Sequence, residues 1–136
     1  MSRLVVAAIV LFSFSICGFA RTHASSPVDA DYIAALSAAN SFLQAWQEHD
    51  EEAAVMLLSD RVRSHHSQDA LSALFAPHGA QAYELSRGRK LAKGRYQFPI
   101  ALFTTLNTTH RWTHPHSTTL LVVRTATNDW LVDQLP

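Results

Sequence analysis

Three groups of side chains in this sequence have types and spacings that could do chemistry. The densest is His110-Arg111-Trp112-Thr113-His114-Pro115-His116, with His65-His66 as a second pair. Neutral imidazole suits zinc, copper and nickel, and a loop between strands could bring His110, His114 and His116 onto one ion. No carboxylate or cysteine completes that loop, so the plain alternative is a solvated hairpin with weak metal affinity. The second group is Arg87, Arg89 and Arg95. Guanidinium forks read carboxylates and phosphates well when they converge. Arg87 and Arg89 share the alternation of Tyr83, Leu85 and Leu91, which aims them toward a pocket mouth unless Gly88 marks a bulge that turns them outward. Solvated charges that protect a sheet edge are the alternative. The third group, Asp60, Tyr32, Tyr83 and Asp133, holds the candidates for a general base and a facing donor. Asp60 is expected in solvent after a helix, the two tyrosines at the core rim with wetted hydroxyls, and Asp133 outward beside an inward Val132. No catalytic residue is assigned from these.

The elements that must position these groups are legible in outline. Ser26-Pro27-Val28-Asp29 reads as a helix start, with Ser26 as the cap and Asp29 completing a capping box. Ile33, Leu36, Ala39, Leu43 and Trp46 then recur at three- and four-residue steps, giving an apolar stripe on a helix that runs to about Glu48. Asp50 caps a second helix, with Glu51 and Glu52 at its positive end and Val55, Leu57 and Leu58 buried, Met56 filling a gap. Ser67 caps a third, carrying Leu71, Leu74 and Phe75 and ended by Pro77-His78-Gly79. The second half is β-rich: Tyr83 to Leu91, Arg95 to Leu106, Thr118 to Thr125 and Trp130 to Leu135. Tyr96, Phe98, Ile100 and Leu102 alternate as a half-buried strand does, and Pro99 belongs at an edge or a bulge. Turns fall at Lys93-Gly94 and Thr127-Asn128-Asp129. Helices first and antiparallel strands after make the fold class α+β, with the helices packed on a curved four-stranded sheet.

The N-terminus stands apart from this domain. Arg3 precedes an uncharged stretch from Leu4 to Ala20, and small residues follow at Gly18-Phe19-Ala20 and Thr22-His23-Ala24. These are the parts of a secretory signal, so residues 1–24 are expected to be a signal peptide and 27–136 a single domain outside the cytoplasm, periplasmic or secreted. An uncleaved membrane anchor is the rival reading, and a lipoprotein is disfavoured by Ile16 before Cys17. Cleavage removes the only cysteine, leaving burial and hydrogen bonds to hold a domain of about 112 residues, which is large enough to bury a core. Removing Arg3 and Arg21 leaves nine basic residues against eleven acidic ones, which excludes a nucleic-acid binder. The acidic residues crowd the first half and the basic ones the second, a split that can orient a partner or an anion. Asn107-Thr108-Thr109 matches a glycosylation acceptor, relevant only in a eukaryotic source.

Phe42-Leu43-Gln44-Ala45-Trp46, with Asp50 four residues on, is similar to the first helix and following turn of the nuclear-transport-factor-2-like superfamily, the ketosteroid-isomerase-like cone. Trp130-Leu131-Val132-Asp133 resembles its closing strand, and the element order agrees over roughly residues 28 to 136. The resemblance implies a sheet curled around the first helix with a pocket between them, walled by Tyr32, Trp46, Tyr83, Arg87, Arg89 and Phe98. It also implies a homodimer through the outer sheet face around Phe103. Members include enzymes and non-enzymatic binders, so the fold does not name the function. The expected role is a non-catalytic domain binding a small molecule or a protein partner, without a cofactor and without membrane contact once the signal is removed. A small isomerase- or dehydratase-like enzyme and a membrane-tethered assembly component are the alternatives. Intact-mass measurement on protein from a cell envelope is expected to show a chain beginning near Arg21 or Ser25; a mass that retains residues 1–24 would instead establish the tether.

Overall fold

Helix α1, Ala30–Gln47, is built around one buried stripe: Ala35, Ala39, Phe42, Leu43 and Trp46, at helical spacing. The structure, a computed structural model, describes residues 28–76, 79–105 and 114–136. The expected signal peptide and the residues Ser26, Pro27, Pro77, His78, Asn107 and His110 lie outside the described residues. The helix cap is Asp29, not Ser26: Asp29 is extended, and its side chain accepts the Asp31 amide at 3.1 Å. A capping-box partner thus serves as the cap, three residues further on than the local pattern suggested.

The second expected helix is two. Helix α2, Glu51–Met56, is capped by Asp50, whose carboxylate accepts the Ala53 amide. Helix α3, Asp60–His65, is capped by Ser59 through the Val62 amide. Between them Leu58 is drawn into a parallel bridge with Val132, so that the Ser59 amide donates to the Val132 carbonyl and the Val132 amide to the Leu57 carbonyl, both at 2.8 Å. A buried leucine that docks on a strand edge breaks the helix more effectively than any local signal. Met56 is 71% exposed and fills no gap, because the chain leaves helical geometry just after it. Helix α4, Gln68–Phe75, begins at Ser67 as expected and buries Leu71 and Phe75.

The strands are β1 (Gln81–Leu85), β2 (Arg89–Ala92), β3 (Arg95–Thr104), β4 (His116–Arg124) and β5 (Trp130–Gln134), antiparallel throughout. The stretch expected as one strand from Tyr83 to Leu91 is interrupted at 86–88, yet both pieces pair with β3. The sheet is therefore four ribbons wide, β1 and β2 forming one broken edge, and it curls open around α1. Pro99 lies in the central strand β3, not at an edge. It sits opposite the break, where its carbonyl accepts the Ser86 amide and no unbroken neighbouring strand asks it for a donor. Gly94, at φ 70°, and Asn128, at φ 69°, make the two expected turns.

Tyr96, Phe98 and Ile100 of β3 and Leu120 and Val122 of β4 meet the α1 stripe, with Val132 closing the core beside Leu58. The outward-facing Asp133 ties α3 to this frame. It accepts hydrogen bonds from Ser59 Oγ at 2.6 Å and from Arg61 at 3.1 and 2.8 Å, and Arg61 also reaches the Asp133 carbonyl. Partial burial raises the Asp133 pKa, but the donors and charge of Arg61, with Ser59, outweigh it and hold the carboxyl below its ordinary value. A depressed carboxyl stabilises the fold above its unfolded pKa of about 3.9 and loses that contribution as pH falls through the folded value. Asp133→Asn is therefore expected to lower the melting temperature by roughly 5 °C at neutral pH, with the difference from the parent vanishing in acid. An equal difference at every pH would show that the carboxylate's charge is not what holds α3.

Candidate functional site

The middle of the contact between α1 and the sheet is tightly packed. Phe42, Leu43, Phe98, Leu120, Val122 and Val132 are fully buried, and Phe42 meets Phe75 edge-on with centroids 6.0 Å apart. Trp46 belongs to the same packed core. Trp46 and Phe98, expected as pocket walls, are thus core side chains, and a cavity must be sought at the rim.

One such cavity, about 440 Å³, opens at the N-terminal end of α1 against the broken edge of the sheet, lined by Val28, Asp29, Tyr32, Ile33, Arg87, Gly88, Lys90 and Tyr96. Its floor is aromatic: Tyr32 packs on Tyr96 at 5.8 Å and on Phe98 at 5.9 Å, and Tyr96 packs on Trp130 at 5.6 Å. The Tyr96 hydroxyl donates to Asp29 Oδ2 at 2.7 Å, the same carboxylate that caps α1, and Lys90 Nζ stands 3.6 Å from that oxygen. Lys90 also lies over the Tyr96 ring, 5.6 Å from its centroid. The hydrogen bond from Tyr96 holds Asp29 below the usual carboxylate range, burial and the Asp29 contact hold the Tyr96 phenol above its ordinary value, and Tyr96 with Asp29 holds Lys90 above its own. At neutral pH the set is a neutral phenol, a carboxylate and an ammonium.

The loop that places Arg87 at this mouth depends on Gly88. A Cβ at Gly88 would stand 2.4 Å from the Phe98 ring, so only glycine lets the backbone cross that close. The Gly88 amide donates to the Tyr32 hydroxyl at 3.3 Å, fixing the crossing from the other side. The kink also shifts strand parity. Lys90, opposite Tyr96, takes the inner face, while Arg89 turns outward and donates two hydrogen bonds to Gln97, at 3.0 and 2.7 Å. Arg87 is exposed and, among the described residues, has no ion-pair or hydrogen-bond partner.

Of the residues singled out from sequence, Tyr32 and Arg87 come together in this cleft. Tyr83 stands further along α1, where its hydroxyl donates to Asn40 Oδ1 at 2.8 Å; burial and the nearby Glu48 raise its pKa. Arg95 faces outward near Asp133. Asp60 is exposed at the start of α3 and pairs with Arg63. His114 and His116 are exposed at the entry to β4, and among the described residues no three His, Cys, Asp or Glu side chains are grouped to hold a metal. His65 and His66 line a second surface cleft of about 440 Å³ with Arg61 and Asp133. There His65 Nδ1 is 2.7 Å from the Arg61 carbonyl, which fixes it as the protonated nitrogen. Asp29, Lys90 and Tyr96 were not found from sequence as site residues. Asp29 was visible as a capping signal, but its partnership with Tyr96 and Lys90 follows from a register that the kink alone sets.

No family model matches the chain, and no curated protein matches it. Solved structures do. It is similar to a ketosteroid isomerase-like protein from Erwinia carotovora atroseptica, at 17% identity and TM-score 0.56, covering 76% of this chain and 92% of that one. It is similar to the Δ5-3-ketosteroid isomerase of a Mycobacterium species, at 10% identity and TM-score 0.53, covering 74% and 92%. A Mycobacterium tuberculosis protein in complex with estradiol-17β-hemisuccinate aligns at 12% identity and TM-score 0.51, covering 74% and 93%. The chain has the nuclear-transport-factor-2-like fold that its helix and strand order suggested. Gly88→Ala is expected to cost about 1–3 kcal/mol of stability, because the new methyl must push the buried Phe98 ring or the Arg87 loop aside. Denaturant unfolding reads the loss, and an unchanged midpoint would show that the loop does not rest on Phe98.

Proposed function

We propose that this chain is an exported, non-catalytic binding domain whose rim cleft holds a small organic anion with an apolar body, and that it works as a homodimer. The observation that carries the reading is Arg87. Among the described residues it has no partner, and it stands beside a Lys90–Asp29 pair that is already neutralised, so the described lining of the cleft keeps one positive charge in excess. Its walls include Val28, 75% exposed, and Ile33, 49% exposed, apolar surface of the kind that marks a binding site when grouped. A carboxylate on Arg87 with its carbon skeleton against Ile33 and Tyr32 answers both features.

The ionisable groups of the cleft favour binding over acid–base catalysis. A general base works best with a pKa near the operating pH. Here Asp29 is pushed down, while Lys90 and Tyr96 are pushed up, all away from neutrality. The core between α1 and the strands supports the same reading, since the residues that make it up are apolar or aromatic and carry no carboxylate or imidazole. Homodimer formation is supported by the outer sheet face, where Ala82 stands opposite Phe103 and the half-buried Ala101, Phe103 and Val123 accompany Leu121. Export rests on the N-terminal charge and hydropathy pattern.

Hexanoate added to isotope-labelled protein is expected to shift the amide resonances of Gly88 and Lys90. Arg87→Ala should weaken that binding about tenfold, as loss of a charge-assisted hydrogen bond does. Equal affinity in the parent and the variant would sink the assignment of the anion to Arg87.

A further inference from the structure

Beyond the rim cleft, α1 carries a second stripe at the margin of the core, with Leu36 half-buried against it and Ile33, Ser37 and Asn40 exposed. Ile33, Leu36, Ser37 and Asn40 are spaced i, i+3, i+4 and i+7, which places them on one line along the helix. Together with Leu85 of β1 they line a cavity of about 430 Å³. Ile33 also lines the rim cleft, so it stands at the junction of the two. The line runs about 10 Å along the helix axis from Ile33 to Asn40. At its far end the hydrogen bond from Tyr83 to Asn40 crosses from β1 to α1. Arg87, Lys90 and Asp29 line the near cavity, and among the described residues no charged side chain lines the far one, the nearest charge to its Tyr83–Asn40 end being that of Glu48.

From this we propose that the ligand is a free, unbranched alkyl carboxylate of medium length, its head on Arg87 and its tail along Ile33, Leu36 and Leu85 toward the Tyr83–Asn40 bridge. The proposal rests on the rim-cleft reading and specifies its ligand. Length and width select the class. A slot one helix stripe wide with a single charged end fits one chain rather than the paired chains of a membrane lipid. The half-buried Leu36 and Leu85 give the tail an apolar wall, whereas a polar ligand would meet little to pair with before Ser37 and Asn40.

The test is a titration of the full mature chain by calorimetry with butanoate, hexanoate, octanoate and decanoate, repeated on Ser37→Glu. Ser37 is exposed, and glutamate suits a helix interior, so this variant should keep the parent's melting temperature. Affinity is expected to rise about fourfold for every two methylenes, half the gain of full burial. Ser37→Glu should reduce decanoate to the affinity of butanoate and leave butanoate unchanged. Equal affinity along the series, or a variant that binds decanoate as the parent does, overturns the groove and leaves the rim cleft standing. Binding of none of the four overturns both. Decyltrimethylammonium binding as tightly as decanoate overturns the placement of the head on Arg87.

Discussion

Everything in this molecule depends on one face of α1 being enclosed by the inner face of β3 and β4. Phe42, Leu43 and Trp46 on the helix and Tyr96, Phe98, Ile100, Leu120 and Val122 on the strands form a single apolar contact. Each large side chain removed from water there contributes roughly 1.5–3 kcal/mol, against a net stability that is typically only a few times larger. The sheet must curl to make that contact. Curling in turn fixes where the broken edge β1–β2 approaches the helix, and so where a cleft can form. The site is a by-product of how the core closes at its end.

Two polar devices finish what the apolar contact begins. Asp29 caps α1 and accepts the Tyr96 hydroxyl, so the start of the helix is pinned to the middle of the sheet. Asp133 gathers Ser59 and Arg61, so the start of α3 is pinned to its last strand. Both are carboxylates that tie the start of a helix to a strand. The first lies in the cleft, where its charge offsets that of Lys90, and among the described residues Arg87 beside them has no ion-pair partner.

The fold was largely legible in the sequence because its signals are local. The caps at Asp50 and Ser67, the alternation from Tyr96 to Ile100, the turns at Gly94 and Asn128 and the Ala39, Leu43 and Trp46 part of the α1 stripe each follow from a few adjacent residues, whereas Ile33, expected on that stripe, is 49% exposed. What escaped depends on distant partners. Leu58 leaves its helix because Val132 offers a strand edge. Pro99 is tolerated in a central strand because the neighbouring strand is broken beside it. The site was half legible for the same reason. Tyr32 and Arg87 could be named from residue type and alternation, but the kink at Gly88 reverses the parity beyond it, sending Arg89 outward and bringing Lys90 in. A one-residue irregularity exchanges the two faces of a strand, and no local pattern records it.

The two margins of the sheet differ in kind. Beyond β5, residues 57–59 supply a short parallel bridge, so part of that margin is already occupied. Beyond β1 and β2, the interruption at 86–88 divides the free amides and carbonyls into two short runs that are out of phase with each other. A foreign strand laid against either margin finds no long, continuous ladder to join, and this is the condition that fibrous growth requires. Strand addition at an edge, the open-ended mode that propagates, therefore finds little purchase on this sheet. The sheet thus draws its protection against edge-to-edge growth from a covered margin and a broken one.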